Sequence, residues 1–175
     1  MSCPFPDHPT ATPDNPQLYD TSLLNQAIQC AVAADAYAAV TRGEDWFVHY
    51  LLIGTGTECA LKAFAVLRGT SEKTLRKWGH NLAPVLEFAE GHALPLKLTD
   101  LERGAIQLLN ESHVSKLTTF PLVKGYAIPR PQIVRSVLDE LIRAVFISIW
   151  GPDRYEYDCK HTPGMSTTLD GSEPG

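Results

Sequence analysis

Along residues 17–150 apolar side chains recur at spacings of three and four, and alternation at two is almost absent. That is the period of a helix face, not of a strand. Leu23, Leu24, Ala27, Ile28, Ala31, Ala34 and Ala38 predict a first helix that runs to about Arg42, with Asp20, Thr21 and Ser22 as N-caps. Its many alanines predict that a neighbouring helix approaches closely. A second helix is predicted over about 44–68, where Trp46, Phe47, Tyr50, Leu51, Leu61, Phe64, Ala65 and Leu67 leave little polar surface. Such a segment suits the centre of a bundle. Gly54 and Gly56 lie inside it at a cost of about 1 kcal/mol each against alanine, so they mark a kink or a close crossing.

Ser71 caps a short helix through Trp78, and Gly79-His80-Asn81 forms a turn in which Asn81 caps a helix of about ten residues. Pro84 falls in the first turn of that helix, where its missing N–H costs little. Thr99-Asp100-Leu101-Glu102 reads as a capping box that opens a helix to roughly His113. Residues 114–130 read as an irregular connection. Ile133, Val134, Val137, Leu138, Leu141, Val145 and Ile149 then form one apolar stripe, which starts at Pro131 and stops at Gly151-Pro152. The pattern predicts an all-α, up-and-down helical bundle of about five helices. Its expected organisation is an irregular arm over 1–16, the bundle over 17–150 and a polar tail over 151–175.

Composition changes this picture mainly at the ends. Five of the thirteen prolines fall in the first sixteen residues and three in the last twenty-five, which is why both termini are expected to be irregular. A hydrophobic fraction of 44% supports a packed core, and a net charge of -5 argues against general polyanion binding as the main role. The N-terminal segment has neither a basic nor an apolar region, so it is not expected to act as a signal peptide. No membrane span is expected, because charges interrupt the helical segments. Cys3, Cys30, Cys59 and Cys159 form no C-x-x-C pair, which fits a reducing cytoplasm better than a disulfide framework.

Candidate chemistry centres on residues 58–82. Glu58 and Lys62 stand four apart in the order that favours an ion pair on one helix face, the simplest reading of the pair. Between residues 62 and 80, Lys62, Arg68, Lys73, Arg76 and Lys77 face only Glu72, a local charge of +4. A phosphate is one reading of that patch, with the free N–H groups after Gly79-His80-Asn81 as donors and Trp78 stacking on a base. A solvated helix face with Trp78 packed on the bundle is the other. Metal spacings are poor: E-x-x-H does not occur, and Asp158…His161, Glu90…His92 and Glu111…His113 read as polar surface. Neither a phosphate-binding loop of the G-x-x-x-x-G-K type nor a G-x-S-x-G elbow is present. Cys59 on an apolar helix reads as inert core rather than as a nucleophile.

The run TECALKAFAVLRG, followed by LRKWGHNLAPVLEFA, resembles the HEPN (higher eukaryote and prokaryote nucleotide-binding) superfamily. More narrowly, it resembles bacterial HEPN-like proteins with an E-x-x-x-K helix and a G-H-[DN]-L turn. TFPLVKGYAIPRPQIVRSVLDELIRAV is similar to that family's connection into its last helix, and the resemblance covers about residues 20–150. It implies a helical bundle, often dimeric, whose members are RNases, toxins, or accessory and nucleotide-binding partners. The RNase members carry R-x4–6-H, in which the histidine handles protons and the arginine stabilises phosphate charge without a metal. Here Arg76 precedes His80 with only three residues between, while Arg42…His49 and Arg154…His161 have the family spacing.

The reading that follows is a non-catalytic HEPN-like bundle with a ligand site at Glu58, Lys62, Arg76, His80 and Asn81. A homodimer is expected, together with a nucleotide, RNA or a protein partner, and with no metal, cofactor or membrane. The alternatives are a metal-independent RNase of a toxin–antitoxin or defence system, using His80 or His49 with Arg76 or Arg42, and a structural interaction module without a ligand site.

Overall fold

A computed structural model describes residues 16–42, 46–114 and 129–161 of the chain. Seven helices occur there: α1 (Pro16–Thr41), α2 (Trp46–Leu67), α3 (Glu72–Trp78), α4 (Leu82–Gly91), α5 (Asp100–Val114), α6 (Pro131–Trp150) and α7 (Pro152–His161). No strand occurs among the described residues, so the expected all-α bundle is what forms. The arm expected over 1–16 lies outside the described residues apart from Pro16, as does most of the connection expected over 114–130.

The core sits around α2, which packs against α1, α4, α5 and α6. Ile53, Leu61, Phe64, Leu24, Leu82, Leu109, Leu138 and Leu141 are among its fully buried side chains. Phe47–Leu67 is long and apolar enough to cross a membrane, contrary to the expectation that no segment would be, yet 72% of that window is buried inside the bundle. Protein neighbours therefore cover the apolar surface that lipid would cover in a span.

Gly56 and Gly54 mark close approaches, and α2 runs through both without interruption. A Cβ at Gly56 would stand 3.0 Å from Leu138 Cδ2, 3.2 Å from Cys30 Cβ and 3.3 Å from the Ala27 carbonyl oxygen. Buried Ala27, Ala31 and Ala34 provide the opposing small-residue face on α1.

Local capping follows the sequence closely. Ser71 accepts from Thr74 N at the start of α3, and Asn81 Oδ1 accepts from Ala83 N at 3.1 Å at the start of α4. Thr99 and Glu102 form the reciprocal box, with Thr99 N donating to Glu102 Oε2 at 2.8 Å and Glu102 N to Thr99 Oγ1 at 3.3 Å. Two boundaries differ from expectation. Helix α1 begins at Pro16, four or more residues before the caps read from sequence, because a proline's fixed φ suits a first helical position. The same physics opens α7 at Pro152 within the supposed polar tail. Tyr155 of α7 stacks edge-on against Phe146 of α6 with centroids 5.5 Å apart.

Candidate functional site

Helix periodicity places Glu58 and Lys62 on one face of α2, where Lys62 Nζ lies 2.5 Å from Glu58 Oε1. This is no solvated surface pair, since Glu58 is only 9% exposed. The same ammonium donates to the carbonyl of Gly79 at 2.7 Å. Gly79 follows α3 with φ 56° and ψ -125°, a backbone region that a side chain strongly disfavours. Its carbonyl has no further turn of α3 to accept from, and a lysine there complements the helix C-terminus. Lys62 thus ties the α3–α4 turn to the central helix.

That tether brings His80 over Glu58. His80 Nδ1 is 3.0 Å from Glu58 Oε2, while the ring itself remains largely in solvent. A second imidazole reaches the same oxygen from below: His113 Nε2, on α5, lies 2.9 Å from Glu58 Oε2 and is buried. The two rings meet edge-to-face with centroids 5.6 Å apart. Facing an ionised carboxylate, each imidazole donates, so the protons sit on Nδ1 of His80 and Nε2 of His113. Gly54 makes room for the lower ring, because a Cβ there would stand 2.9 Å from His113 Nδ1.

Burial pushes the Glu58 carboxyl up, but hydrogen bonds from His113, Lys62 and His80, with the Lys62 charge, outweigh it and hold the group at about 2. Glu58 is therefore a permanent anion at neutral pH, with Lys62 on one oxygen and two imidazoles on the other. The cluster floors an open cleft of about 630 Å³, whose apolar wall includes Leu23, Leu51 and Leu75 and whose polar rim includes Gln26, Thr55, Glu72 and Arg76.

Among the residues expected at a ligand site, Glu58, Lys62 and His80 meet directly. Arg76 stands at the cleft's rim, exposed and held by Glu72 at 2.6 Å. Asn81 is exposed and acts as the α4 cap. The free N–H groups expected after the turn are already taken, because Leu82 N donates to Asn110 Oδ1 at 2.7 Å and Ala83 N to Asn81. An anion at that terminus would have to displace both acceptors.

The other pairs stand elsewhere. Arg42 is exposed beyond α1, whereas His49 is buried with Nδ1 3.2 Å from the Ala34 carbonyl oxygen, so His49 packs as a core residue. Arg154 is exposed on α7, and the side chain of His161 lies outside the described residues. Trp78 packs on Phe88 with centroids 5.5 Å apart and against the core, so the packed reading describes it. Burial first, and then the Glu58 charge and Cys30, push the Cys59 thiol up to about 12, which leaves it inert.

His113 is the residue that sequence reasoning missed. Read as a polar residue at a helix end, it instead sits in the last turn of α5, buried against Glu58. A signal was there: Ile106, Leu109 and His113 continue one face at spacings of three and four, and the first two are buried. No protein-family model, curated protein or solved structure matches this chain.

Proposed function

We propose that this chain is a ligand-binding helical bundle that takes a phosphate-bearing molecule, a nucleotide or an RNA segment, in the cleft between α1, α2 and α3. The observation that carries this reading is an open cleft with an apolar wall, where Arg76 and the exposed ring of His80 stand above a floor fixed by the Glu58, Lys62 and His113 contacts. Binding sites are typically such clefts, mostly apolar with a few converging polar groups. The exposed cations Lys73, Arg76 and Lys77 on α3 favour an anion's approach despite the net charge of -5. Within this reading Arg76 and the outer edge of His80 contact the ligand. Lys62 and Asn81 hold the turn that presents them. The likeness to HEPN proteins points the same way, and Cys30 and Cys59, free of any disulfide, fit a cytoplasmic setting.

Binding of a nucleoside triphosphate and of a short single-stranded RNA, measured by calorimetry and anisotropy, tests the proposal. Arg76→Ala and His80→Ala, both at exposed positions, are expected to weaken binding about tenfold or more, and added salt to weaken it further. Absence of saturable binding by either probe overturns it and leaves a structural module. Light scattering of the same samples tests the expected homodimer.

One observation favours a catalytic version. A carboxylate on His80 Nδ1 leaves Nε2 of an exposed imidazole facing outward, the arrangement of a general base with an orienting acid. RNA cleavage that persists in EDTA and disappears in His80→Ala would establish a metal-independent RNase. No cleavage at high protein concentration would dismiss it.

A further inference from the structure

We propose that Glu58, His80 and His113 form a three-ligand site for a divalent transition ion of the zinc class. This inference goes beyond the phosphate-ligand reading and does not rest on it. Each of the three residues offers one ligand atom once the single proton of each neutral imidazole moves to its other ring nitrogen, Nε2 in His80 and Nδ1 in His113, and these atoms lie within 4.8 Å of one another. Glu58 Oε2 stands 3.0 Å from His80 Nδ1 and 2.9 Å from His113 Nε2. Metal–ligand bonds of about 2.0–2.1 Å in a tetrahedron place ligand atoms about 3.3 Å apart, so each of these separations opens by only a few tenths of an ångström. His80, exposed on a turn, has the freedom to complete the geometry from outside.

The donor set has chemical sense. Two imidazoles with one carboxylate is a common set for zinc and for other borderline divalent ions with open positions. The open positions here face the cleft. Lys62 holds Oε1, the oxygen that the ion does not need, and so acts as the outer partner that orients a ligating carboxylate. The lower ligand is built into its place. Gly54 sits mid-helix at a cost in helix propensity, and the space it leaves is filled by the His113 ring.

Hydrogen bonds from both imidazoles, together with Lys62, already stabilise the buried carboxylate. A bound ion takes the place of the two donors on Oε2 and leaves the Lys62 contact on Oε1 as it is.

The test uses the full-length chain stripped with EDTA and titrated with Zn²⁺ or Co²⁺ alone, with no nucleotide present. Calorimetry is expected to give one ion per chain, and Co²⁺ to develop the visible absorption of a low-coordinate site. His80→Ala, at an exposed position where folding is not at stake, is expected to lower affinity at least about tenfold. Gly54→Ala, which pushes the His113 ring aside, is expected to do likewise with circular dichroism unchanged. His92→Ala, on the far end of α4, serves as the control and is expected to bind as the parent does. Absence of saturable binding by the folded chain, or binding undiminished in His80→Ala, overturns the proposal. Either result leaves the nucleotide and RNA titrations to be judged separately.

Discussion

At the scale of the single residue, Glu58 has the most to lose. It accepts from Lys62, His80 and His113, and its carboxyl is held at about 2 against an ordinary 4.5. A depressed acid stabilises the fold wherever the unfolded carboxyl is ionised, so the contribution is complete above about pH 4.5. It is lost as pH falls from there towards 2, because the unfolded chain takes up the proton first. Glu58→Gln is therefore expected to cost about 3 kcal/mol near neutrality, by leaving the Lys62 ammonium without its anion. Thermal melts below pH 4 should show the variant and the parent drawing together. An unchanged gap across that range would show that Glu58 is not the acid-sensitive group. Half of this site was legible in the sequence. Glu58 and Lys62 announce each other by a spacing of four, but His113 stands 55 residues from Glu58 and only tertiary packing joins them.

At the scale of the element, glycines separate packing from propensity. Gly56 lies in α2 against Leu138, Cys30 and Ala27, while Gly104 lies in α5 with nothing within 4 Å of a built Cβ. Both positions are helical, so alanine gains up to about 1 kcal/mol of propensity at either one. At Gly104 that gain stands alone, and Gly104→Ala is expected to raise stability by about 0.5–1 kcal/mol. At Gly56 the new methyl group crowds the Ala27 carbonyl, Cys30 Cβ and a Leu138 methyl, and an overpacking cost of about 1–3 kcal/mol is expected to win. Denaturant melts of the two variants should therefore move in opposite directions. Sequence alone foresaw a kink or a crossing and had no means to choose, because the choice depends on what α1 and α6 present at that point. The caps were easier. Ser71, Asn81 and Thr99 act within four residues of themselves, and each appears where its side chain predicts. Helix α7 was missed for a related reason, since Gly151-Pro152 signals a stop and a start equally well.

At the scale of the whole molecule, one arginine joins α1 to α6 across 100 residues of sequence. Arg135 of α6 grips Asp35 of α1 with two hydrogen bonds, at 2.9 and 2.8 Å, and ion-pairs with Asp139 one turn along its own helix. Asp139 is left with a raised pKa, pushed up by burial in spite of the arginine, so it depends on that cation. Arg135→Met is expected to cost about 1–3 kcal/mol, and Arg135→Lys to recover only part of it, because an ammonium cannot reproduce the planar fork. A Lys variant as stable as the parent would reduce the contact to charge alone. The net charge of -5 conveyed nothing of this. It averages an acidic bundle over a basic α3 and gives no hint of which charges meet.

The slot at Gly54 has a consequence for descent. Position 54 has to be glycine only while an imidazole occupies position 113, since that ring fills the space a side chain would need. In lineages that lose His113, selection on position 54 relaxes, and alanine or serine should appear there soon afterwards. Where the histidine persists, the glycine should persist with it. Paired substitution at two sites on different helices would then record, across relatives of this chain, whether the Glu58 cluster has been kept.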